Sequence, residues 1–267
     1  MTAIVTWNIQ NGRGCDGVVD LARIARVVRA MGEVDVVCLQ EISRHDPQYE
    51  NGADQVAKLA KLFTGFEGRF GAALNRGGNR QYGNLLLSRL PILQSFSHLL
   101  PNPPAEKHMQ RQATEVVVQT WAGPLRIVTT HLEYYSVPAR AAQVARLREL
   151  QAEIGANQAA PAKPDSSPYD AVPRPGSLVL CGDLNLLPDD AEYRALFALP
   201  LVDAWRHHRK EKHPPSTGLH DRKEWPMGGH CRDYFAVTLD VAARISSIAM
   251  DAATDASDHQ PLRLVLR

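Results

Sequence analysis

Residues 177–185 read SLVLCGDLN, an apolar run that ends abruptly in a glycine, a carboxylate and an amide. A continuous apolar run of this length is typical of a strand buried on both faces, as in α/β proteins. Because Asp183 and Asn185 are two residues apart, extended backbone would present both side chains on one face. The segment therefore predicts a buried strand whose carboxyl end carries two polar groups on the same side.

Three other apolar strands show the same pattern. The strand and the polar residue that follows it are Ile4–Trp7 and Asn8, Val34–Leu39 and Gln40-Glu41, and Leu125–Thr130 and His131. Each polar residue alone is as well explained by a turn or a solvated strand end. In open α/β sheets, however, ligands bind outside the carboxyl ends of the strands. The repetition over four strands therefore favours a catalytic site at this edge.

The surrounding pattern is that of an α/β protein in which strands and helices alternate. Helical spacing predicts helices over 18–31, 52–63, 138–154 (closed by Gly155) and 189–198. Further strands are predicted over 84–87, 92–96, 234–239, 243–248 and 262–266, and a hairpin pairs 113–120 with 125–130. Site residues come from both ends of the chain, so residues 1–267 are predicted to form one domain.

Two stretches lack periodicity, 156–176 and 206–232. The first is rich in Ala, Pro, Ser and Asp, which indicates a flexible surface loop; a domain linker is the competing interpretation. Because this loop enters the GDLN strand from its amino end, we expect it to lie away from the site and to tolerate shortening. The second stretch lies between two site motifs, so it is expected to border the site.

Composition excludes several classes of protein. The chain has 267 residues, of which 44% are hydrophobic and 22% charged, with a formal net charge of +1. Disordered chains are poorer in apolar residues and more strongly charged, and proteins that coat nucleic acid are strongly basic. The near-neutral charge still permits a local basic groove.

The four cysteines form no C-x-x-C pair, and Cys38 and Cys181 lie inside apolar runs. This usage is typical of buried, reduced thiols in a cytosolic protein. The amino-terminal segment MTAIVTWNIQ has neither a basic region nor a long apolar stretch, and no window approaches the roughly 18 apolar residues of a membrane helix. We therefore expect a cytoplasmic protein without membrane insertion.

The polar residues suit hydrolysis assisted by a metal ion. Glu41 and Asp258 are hard oxygen donors and Asn8 and Gln10 are neutral ones, a set that favours Mg²⁺ or Mn²⁺ over zinc. Asp258 and His259 are adjacent, so both reach one site only if the chain bends before the final strand. Carboxylates and histidines without a Ser or Cys nucleophile motif indicate attack by activated water.

The motifs TWNIQNGRG, LQE, GNLLLSRLPI, THLE, GDLN, DYFAV and SDHQP, in this order, resemble the endonuclease/exonuclease/phosphatase superfamily. That superfamily includes DNase I, abasic-site endonucleases, sphingomyelinases and inositol-phosphate phosphatases. The resemblance runs from Trp7 to Pro261. It implies a four-layer α/β/β/α sandwich of two mixed β-sheets and metal-dependent hydrolysis of a phosphoester.

The resemblance also implies which residues bind the metal. By motif, Asn8, Glu41 and Asp258 belong to the site for Mg²⁺ or Mn²⁺. Abasic-site endonucleases carry an acidic residue two positions after the first Asn, where this chain has Gln10. The departure concerns their particular metal arrangement and leaves metal binding itself expected.

Five further residues acquire catalytic roles from the resemblance. His131 would contact the scissile phosphate, and Asp183 and Asn185 would orient the nucleophile and bind phosphate oxygens. Asp233 would orient His259, which activates water or stabilises the transition state.

Two motif positions follow the family less closely. Asn84 falls near the place where some members support the THL histidine, and we include it among the substrate-binding candidates. Asp233 follows Cys231-Arg232 in place of the usual apolar strand start. A looser hold on His259 would follow if Asp233 were exposed.

The loops must decide the substrate, since one fold hosts many functions. The 206–232 stretch is basic, with Arg206 and Arg222 as phosphate-binding candidates, and Trp225 could stack on a base. A second basic cluster spans Arg76–Arg80. Together they favour DNA or RNA as the substrate of a nuclease, which we expect to be a monomer. A solvated loop of no special function is an equal alternative for 206–232. A phospholipid head group or small phosphorylated metabolite is the alternative substrate, and a catalytically inactive binding module is a third hypothesis.

Overall fold

The computed structural model of the protein describes residues 1–160 and 172–267. Within these ranges the strands are β1 (Thr2–Asn8), β2 (Val36–Arg44), β3 (Glu67–Arg76), β4 (Arg80–Ser88), β5 (Ile92–Leu99), β6 (Gln112–Thr120), β7 (Gly123–His131), β8 (Leu178–Asp183), β9 (Leu201–Asp203), β10 (Asp233–Thr238), β11 (Ile245–Met250) and β12 (Leu262–Leu266). The helices are α1 (Leu21–Ala30), α2 (Gln55–Leu62), α3 (Val137–Ala159), α4 (Ala191–Leu196), α5 (Ala204–Arg209) and α6 (Leu239–Ala242).

The strands form two mixed six-stranded sheets, with the orders β11-β12-β1-β2-β4-β3 and β5-β6-β7-β8-β10-β9. Each sheet contains one parallel pair, β1 with β2 and β7 with β8. A parallel pair needs a long crossover, and α1 and α3 supply it. Asp20 caps α1 by accepting from the Arg23 N–H, and Ser136 caps α3 by accepting from the Ala139 N–H.

Apolar side chains divide the molecule into layers. Between the two sheets, Ile4 and Val36 of the first sheet join Val116 and Val179 of the second in one buried core that extends to Leu266. The outer face of the first sheet packs against α1 and α2. The outer face of the second sheet packs against α3 and α4. This order is the predicted four-layer α/β/β/α sandwich of two mixed sheets, so the predicted fold class is confirmed.

Two predicted boundaries were wrong. The strand predicted to end at Gln40-Glu41 continues to Arg44, because Glu41 lies in a β-bulge with a φ of +61° and the pairing with β4 resumes at Ile42. The helix predicted to close at Gly155 continues to Ala159, so 156–159 is helical. The rest of the predicted 156–176 loop falls largely on residues 161–171, which lie outside the described residues.

Some elements gave no pattern in the sequence. The strand β3 is a half-exposed edge strand with two glycines and no alternation of apolar and polar residues. The stretch 206–232 begins inside α5, a six-residue helix whose N-terminus is capped by Asp203. Arg76–Arg80 is the hairpin turn between β3 and β4.

No helix in the described part of the chain has a stretch long and apolar enough to cross a membrane.

Candidate active site

Strand register brings the predicted polar residues to one edge of the sandwich. In the parallel pairs, Asn8 is opposite Gln40 and His131 is opposite Asp183. Because β10 runs antiparallel to β8, Asp233 at its start is also opposite Asp183. The carboxyl ends of two parallel pairs and the start of an antiparallel neighbour therefore meet at the same edge.

The segment before β12 bends into this edge and is tied to β1. The Trp7 indole N–H donates to the carbonyl of His259 at 2.8 Å, and the Ser257 hydroxyl donates to the carbonyl of Asn8 at 2.8 Å. This is the bend that the adjacency of Asp258 and His259 required. Both side chains consequently line the same cavity.

His259 is held by a buried carboxylate. Its Nδ1 lies 2.9 Å from Oδ2 of Asp233, which is only 1% exposed despite the unusual residues before it. The hydroxyls of Ser216 and Thr217 donate to the same Oδ2 at 2.7 and 3.1 Å. Because Oδ2 of Asp233 is itself held by these two hydroxyls, the carboxylate fixes the orientation of the imidazole. Nε2 of His259 is thereby presented to the cavity.

Charge at the site keeps His259 protonated. Burial alone would lower the pKa of its imidazole, but the carboxylates of Asp233, Asp258 and Asp183 raise it well above the ordinary value. The imidazolium Nε2 lies 3.6 Å from Oδ2 of Asp183. His259 is therefore arranged as a cationic donor at the centre of an acidic site.

Asp183 is the common neighbour of the other groups. Its Oδ2 accepts from Nδ2 of Asn8 at 3.0 Å and lies 3.3 Å from Nε2 of His131. Burial, together with the charge of Asp233, raises the pKa of Asp183 above its ordinary value although His259 opposes the shift. A carboxylate of raised pKa, only 2% exposed, is suited to orient water or accept its proton.

His131 and Asn185 form a neutral pair beside Asp183. Nδ2 of Asn185 lies 3.1 Å from Nε2 of His131 and donates to the carbonyl of Leu132 at 2.9 Å. Burial, helped by the positive charge of Arg111, lowers the pKa of His131 well below the ordinary value. The imidazole is therefore neutral. Its Nδ1 lies 3.8 Å from Oε1 of Glu41 and has no hydrogen-bond partner among the described residues, which leaves it for a ligand.

The residues predicted to bind the metal lie where several carboxylates come close together. Nδ2 of Asn8 bridges Oε1 of Glu41, at 3.0 Å, and Asp183. Asn8 thus turns its N–H₂ group to the carboxylates, while its oxygen accepts from the backbone of Gln10. Burial and the neighbouring charge of Asp258 raise the pKa of Glu41 to about 7. In this orientation Asn8 orients the acidic groups, and its place among the metal residues stays a prediction.

The donor set fits a divalent cation. The ligating atoms of Asp183, Asp233 and His259 lie within 4.8 Å of one another. A protonated His259 has no lone pair for a metal, and Oδ2 of Asp233 already accepts three hydrogen bonds. The carboxylates left for a cation are those of Asp183, Glu41 and Asp258. Mutually repelling buried oxygens of this kind are stabilised by a hard cation such as Mg²⁺ or Mn²⁺.

Of the four residues predicted to bind the substrate, the cavity lining includes only Trp225. Trp225 lines the cavity of about 380 Å³ above the site and donates to Oδ2 of Asp258 at 3.0 Å. Asn84 is buried and donates to the carbonyl of Gln112 at 3.0 Å, which places it behind the cavity wall. Arg206 packs over the ring of Tyr193 and Arg222 packs against Gly228. Neither arginine lines the cavity.

Several residues of the cavity wall were missed by sequence reasoning. They are Tyr82, Met109, Arg111, Tyr134, Tyr135 and Glu224. Arg232 lies between the rings of Tyr134 and Trp225, at 4.8 and 5.6 Å from their centroids, and its Nη1 donates to Oδ1 of Asn185 at 3.3 Å. Tyr134 and Tyr135 directly follow the THLE motif, which was the available signal for both.

The geometry agrees with a comparison of the whole sequence. The profile of the Endonuclease/Exonuclease/phosphatase family matches residues 5–259. The chain belongs to this family. Its members are hydrolases that act on phosphoesters. Comparison with curated proteins gives no match.

Solved structures show the same fold. An endonuclease/exonuclease/phosphatase from Beutenbergia cavernae is 27% identical, with a TM-score of 0.76 over 100% of this chain and 71% of its own. A mannosyl-6-phosphatase from Bacteroides thetaiotaomicron is 14% identical (TM-score 0.73) and covers 100% of both chains. A 3′ phosphatase from Neisseria, bound to a product DNA hairpin, is 19% identical (TM-score 0.68), again over 100% of both chains.

Proposed function

We propose that this protein is a phosphodiesterase that depends on Mg²⁺ or Mn²⁺ and cleaves DNA or RNA as a cytoplasmic monomer. The observation that carries the proposal is the arrangement around Asp183. Two imidazoles approach its Oδ2: the carboxylate-fixed imidazolium of His259 at 3.6 Å and the neutral ring of His131, paired with Asn185, at 3.3 Å. The four described thiols are free, as a reducing compartment requires.

The residues divide the work of hydrolysis. Asp183 orients a water molecule in line with the phosphorus and accepts its proton as attack begins. His259 is protonated, so its Nε2 donates to the charge that develops on the phosphoryl group. His131 donates from Nδ1 to another phosphoryl oxygen, and Asn185 holds the imidazole in place through its Nε2. A bound divalent cation, held by Glu41 and Asp258, would supply neutralisation of charge on the phosphoryl and leaving oxygens.

Two surfaces support a nucleic acid as the substrate. Tyr134, Tyr135 and Trp225 form an aromatic wall on which bases can stack. A second cavity shares Tyr82 with the first and extends to Arg76 and Arg80 of the β3–β4 hairpin. A polynucleotide could therefore continue from the site toward a basic turn.

A small phosphorylated metabolite is the second candidate substrate. Tyr134 and Trp225 pack edge to face, with ring centroids 6.1 Å apart, along a cavity of about 380 Å³. A cavity of this volume suits a compact head group or sugar phosphate better than duplex DNA. The inactive binding module is the least supported hypothesis, since the acidic and imidazole groups are all brought together.

The first experiment is hydrolysis of bis(p-nitrophenyl) phosphate with Mg²⁺ or Mn²⁺ and with chelator. The proposal requires release that chelator abolishes; no metal-dependent release at all would favour the inactive module. A substrate panel then follows, with nicked and abasic DNA, single-stranded RNA, sphingomyelin and inositol phosphates. A steep loss of activity with salt is expected for nucleic acid, whereas turnover confined to small esters would select the second candidate.

A further inference from the structure

Arg111 is a buried arginine at the cavity that the motifs do not mark. It stands immediately before β6, whose Ala113 pairs with Thr130 of β7. That register places Arg111 next to the end of β7, where His131 begins the catalytic edge. The residue is only 5% exposed and lines the same cavity as His131 and Asp183.

One side of the guanidinium is anchored. Nε of Arg111 donates to Oε2 of Glu133 at 3.3 Å. Glu133 is itself fixed, since it accepts from the backbone N–H groups of Met109 at 3.0 Å and Tyr135 at 2.9 Å. The bond to Glu133 therefore orients the guanidinium of Arg111 and leaves its terminal nitrogens, Nη1 and Nη2, for another acceptor.

Among the residues that the structure describes, the terminal nitrogens of Arg111 have no acceptor. Nη1 of Arg111 is buried without a hydrogen-bond partner, and no described residue accepts from Nη2. A buried guanidinium N–H that has lost water without gaining an acceptor is unfavourable. Its position on the cavity wall indicates that the acceptor comes with a ligand. The field of the same guanidinium already lowers the pKa of His131.

We propose that Arg111 is a specificity-determining residue that binds phosphoryl oxygens of the substrate and of the phosphate product. The free edge of an arginine presents two parallel donors, a geometry matched to two oxygens of one phosphate. The assignment to a reacting phosphate rests on the proposed function, whereas the capacity to bind phosphate does not.

The strength of binding to Arg111 should depend on the charge of the phosphate group. A terminal phosphate carries about two negative charges and three free oxygens, whereas an internal diester carries one charge and two free oxygens. Coulomb attraction grows with the product of the charges. Arg111 therefore favours a terminal phosphate over an internal one.

The test compares Arg111→Gln, Arg111→Lys and the control Arg146→Gln. Arg146 is an arginine of α3 that pairs with Glu149 and Glu153, remote from the cavity lining. Calorimetric titration with inorganic phosphate, in the presence of Mg²⁺, should show binding weakened on the order of 10- to 100-fold in Arg111→Gln. The loss should be smaller in Arg111→Lys, which keeps the charge but not the fork, and absent in the control.

Kinetics with two esters distinguish recognition of phosphate by Arg111 from a purely structural role of its side chain. The value of kcat/KM should fall more for p-nitrophenyl phosphate, a monoester, than for bis(p-nitrophenyl) phosphate in both Arg111 variants. Equal falls for the two esters, or unchanged phosphate affinity, would overturn the proposal. If Arg111→Gln does not fold, the Lys variant alone must show both effects. A wild-type protein that binds phosphate through Arg111 yet hydrolyses no ester would refute the proposed function and retain this inference.

Discussion

Glu41 and Glu115 are identical side chains in opposite electrostatic settings. Burial and the charge of Asp258 raise the pKa of Glu41 to about 7. Glu115 is fully buried in the second sheet, and burial alone would raise its pKa as well. Hydrogen bonds from His98 and Arg174 and the charge of Arg126 instead lower it to about 2.

The contacts explain the contrast. Oε1 of Glu115 accepts from Nε of Arg126 at 3.1 Å and from Nε of Arg174 at 2.8 Å, and Oε2 lies 3.1 Å from Nε2 of His98. The chain itself supplies every countercharge there. At the cleft, by contrast, the carboxylates of Glu41, Asp183 and Asp258 face one another.

The Glu115 cluster therefore stabilises the fold, whereas the facing carboxylates of the cleft destabilise it. A buried carboxylate whose countercharges come from the chain itself needs nothing from outside, whereas an excess of buried negative charge is relieved only by a cation or a donor that the chain does not provide. Sites of this kind commonly reduce stability in favour of activity. Variants of the two clusters should therefore respond in opposite ways.

The largest effect is expected from Glu115→Gln. This change leaves the buried charge of Arg126, and the partly exposed charge of Arg174, without their partner. Breaking a buried ion pair in this way costs about 3–5 kcal/mol. Chemical denaturation should show the loss as a lower free energy of unfolding. Turnover measured well below the melting temperature should change little. An unfolding free energy equal to that of the wild type would remove the structural role assigned to this cluster.

Asp183→Asn should show the reverse profile. Hydrolysis of bis(p-nitrophenyl) phosphate should fall on the order of 100-fold or more, because the group that orients and deprotonates water is lost. Stability should stay the same or rise, since one of several repelling carboxylates is removed. His259→Ala should also abolish activity with the fold intact. Near wild-type turnover in either variant would refute the site assignment.

Acid should weaken the Glu115 cluster through protonation of its carboxylate. The pKa of Glu115 is lowered in the folded state, from an ordinary value of 4.5 to about 2, so the unfolded chain binds the proton first and stability rises with pH in this range. The contribution of the cluster is complete above about pH 4.5 and is lost as the pH falls toward 2. Unfolding titrations between these values should show a shallower pH dependence in Glu115→Gln. Parallel slopes in the two proteins would contradict the assignment.

The smallest effect is expected from shortening the 161–171 segment. The described chain leaves α3 at Ala160 and returns at Val172, before the amino end of β8, whereas Asp183 stands at the carboxyl end of that strand. Neither charge cluster should be altered, so activity and melting temperature should remain close to wild type. A large loss of activity would show that the segment reaches the site after all.

Much of the fold and the central residues of the candidate site could be predicted from sequence, because strand ends obey simple geometric rules. The GDLN and THLE motifs each follow an apolar strand, and register then brings His131 opposite Asp183. The continuation of β2 through Glu41 was missed, since a bulge depends on the pairing strand and not on the local pattern. Cavity walls depend on loops that fold against other loops, as Trp225 does against Tyr134.

Arg111 shows where sequence reasoning stopped short. The hairpin of 113–120 with 125–130 was predicted, and its register alone would have placed Arg111 beside His131. The burial of its guanidinium and the missing acceptor could not be inferred, because both depend on Glu133 and the surrounding backbone. By contrast, Arg206 and Arg222 carried the expected charge but point to other partners.

The tie between β1 and the segment before β12 affects when the protein becomes active during its synthesis. Trp7 holds the carbonyl of His259, Ser257 holds that of Asn8, and Thr2 pairs with Leu266. A chain emerging from the ribosome can form β8, with Asp183 in place, long before His259 has been made. A chain still lacking residues 257–259 cannot assemble the arrangement around Asp183, so the candidate site is completed only when the two distant segments join.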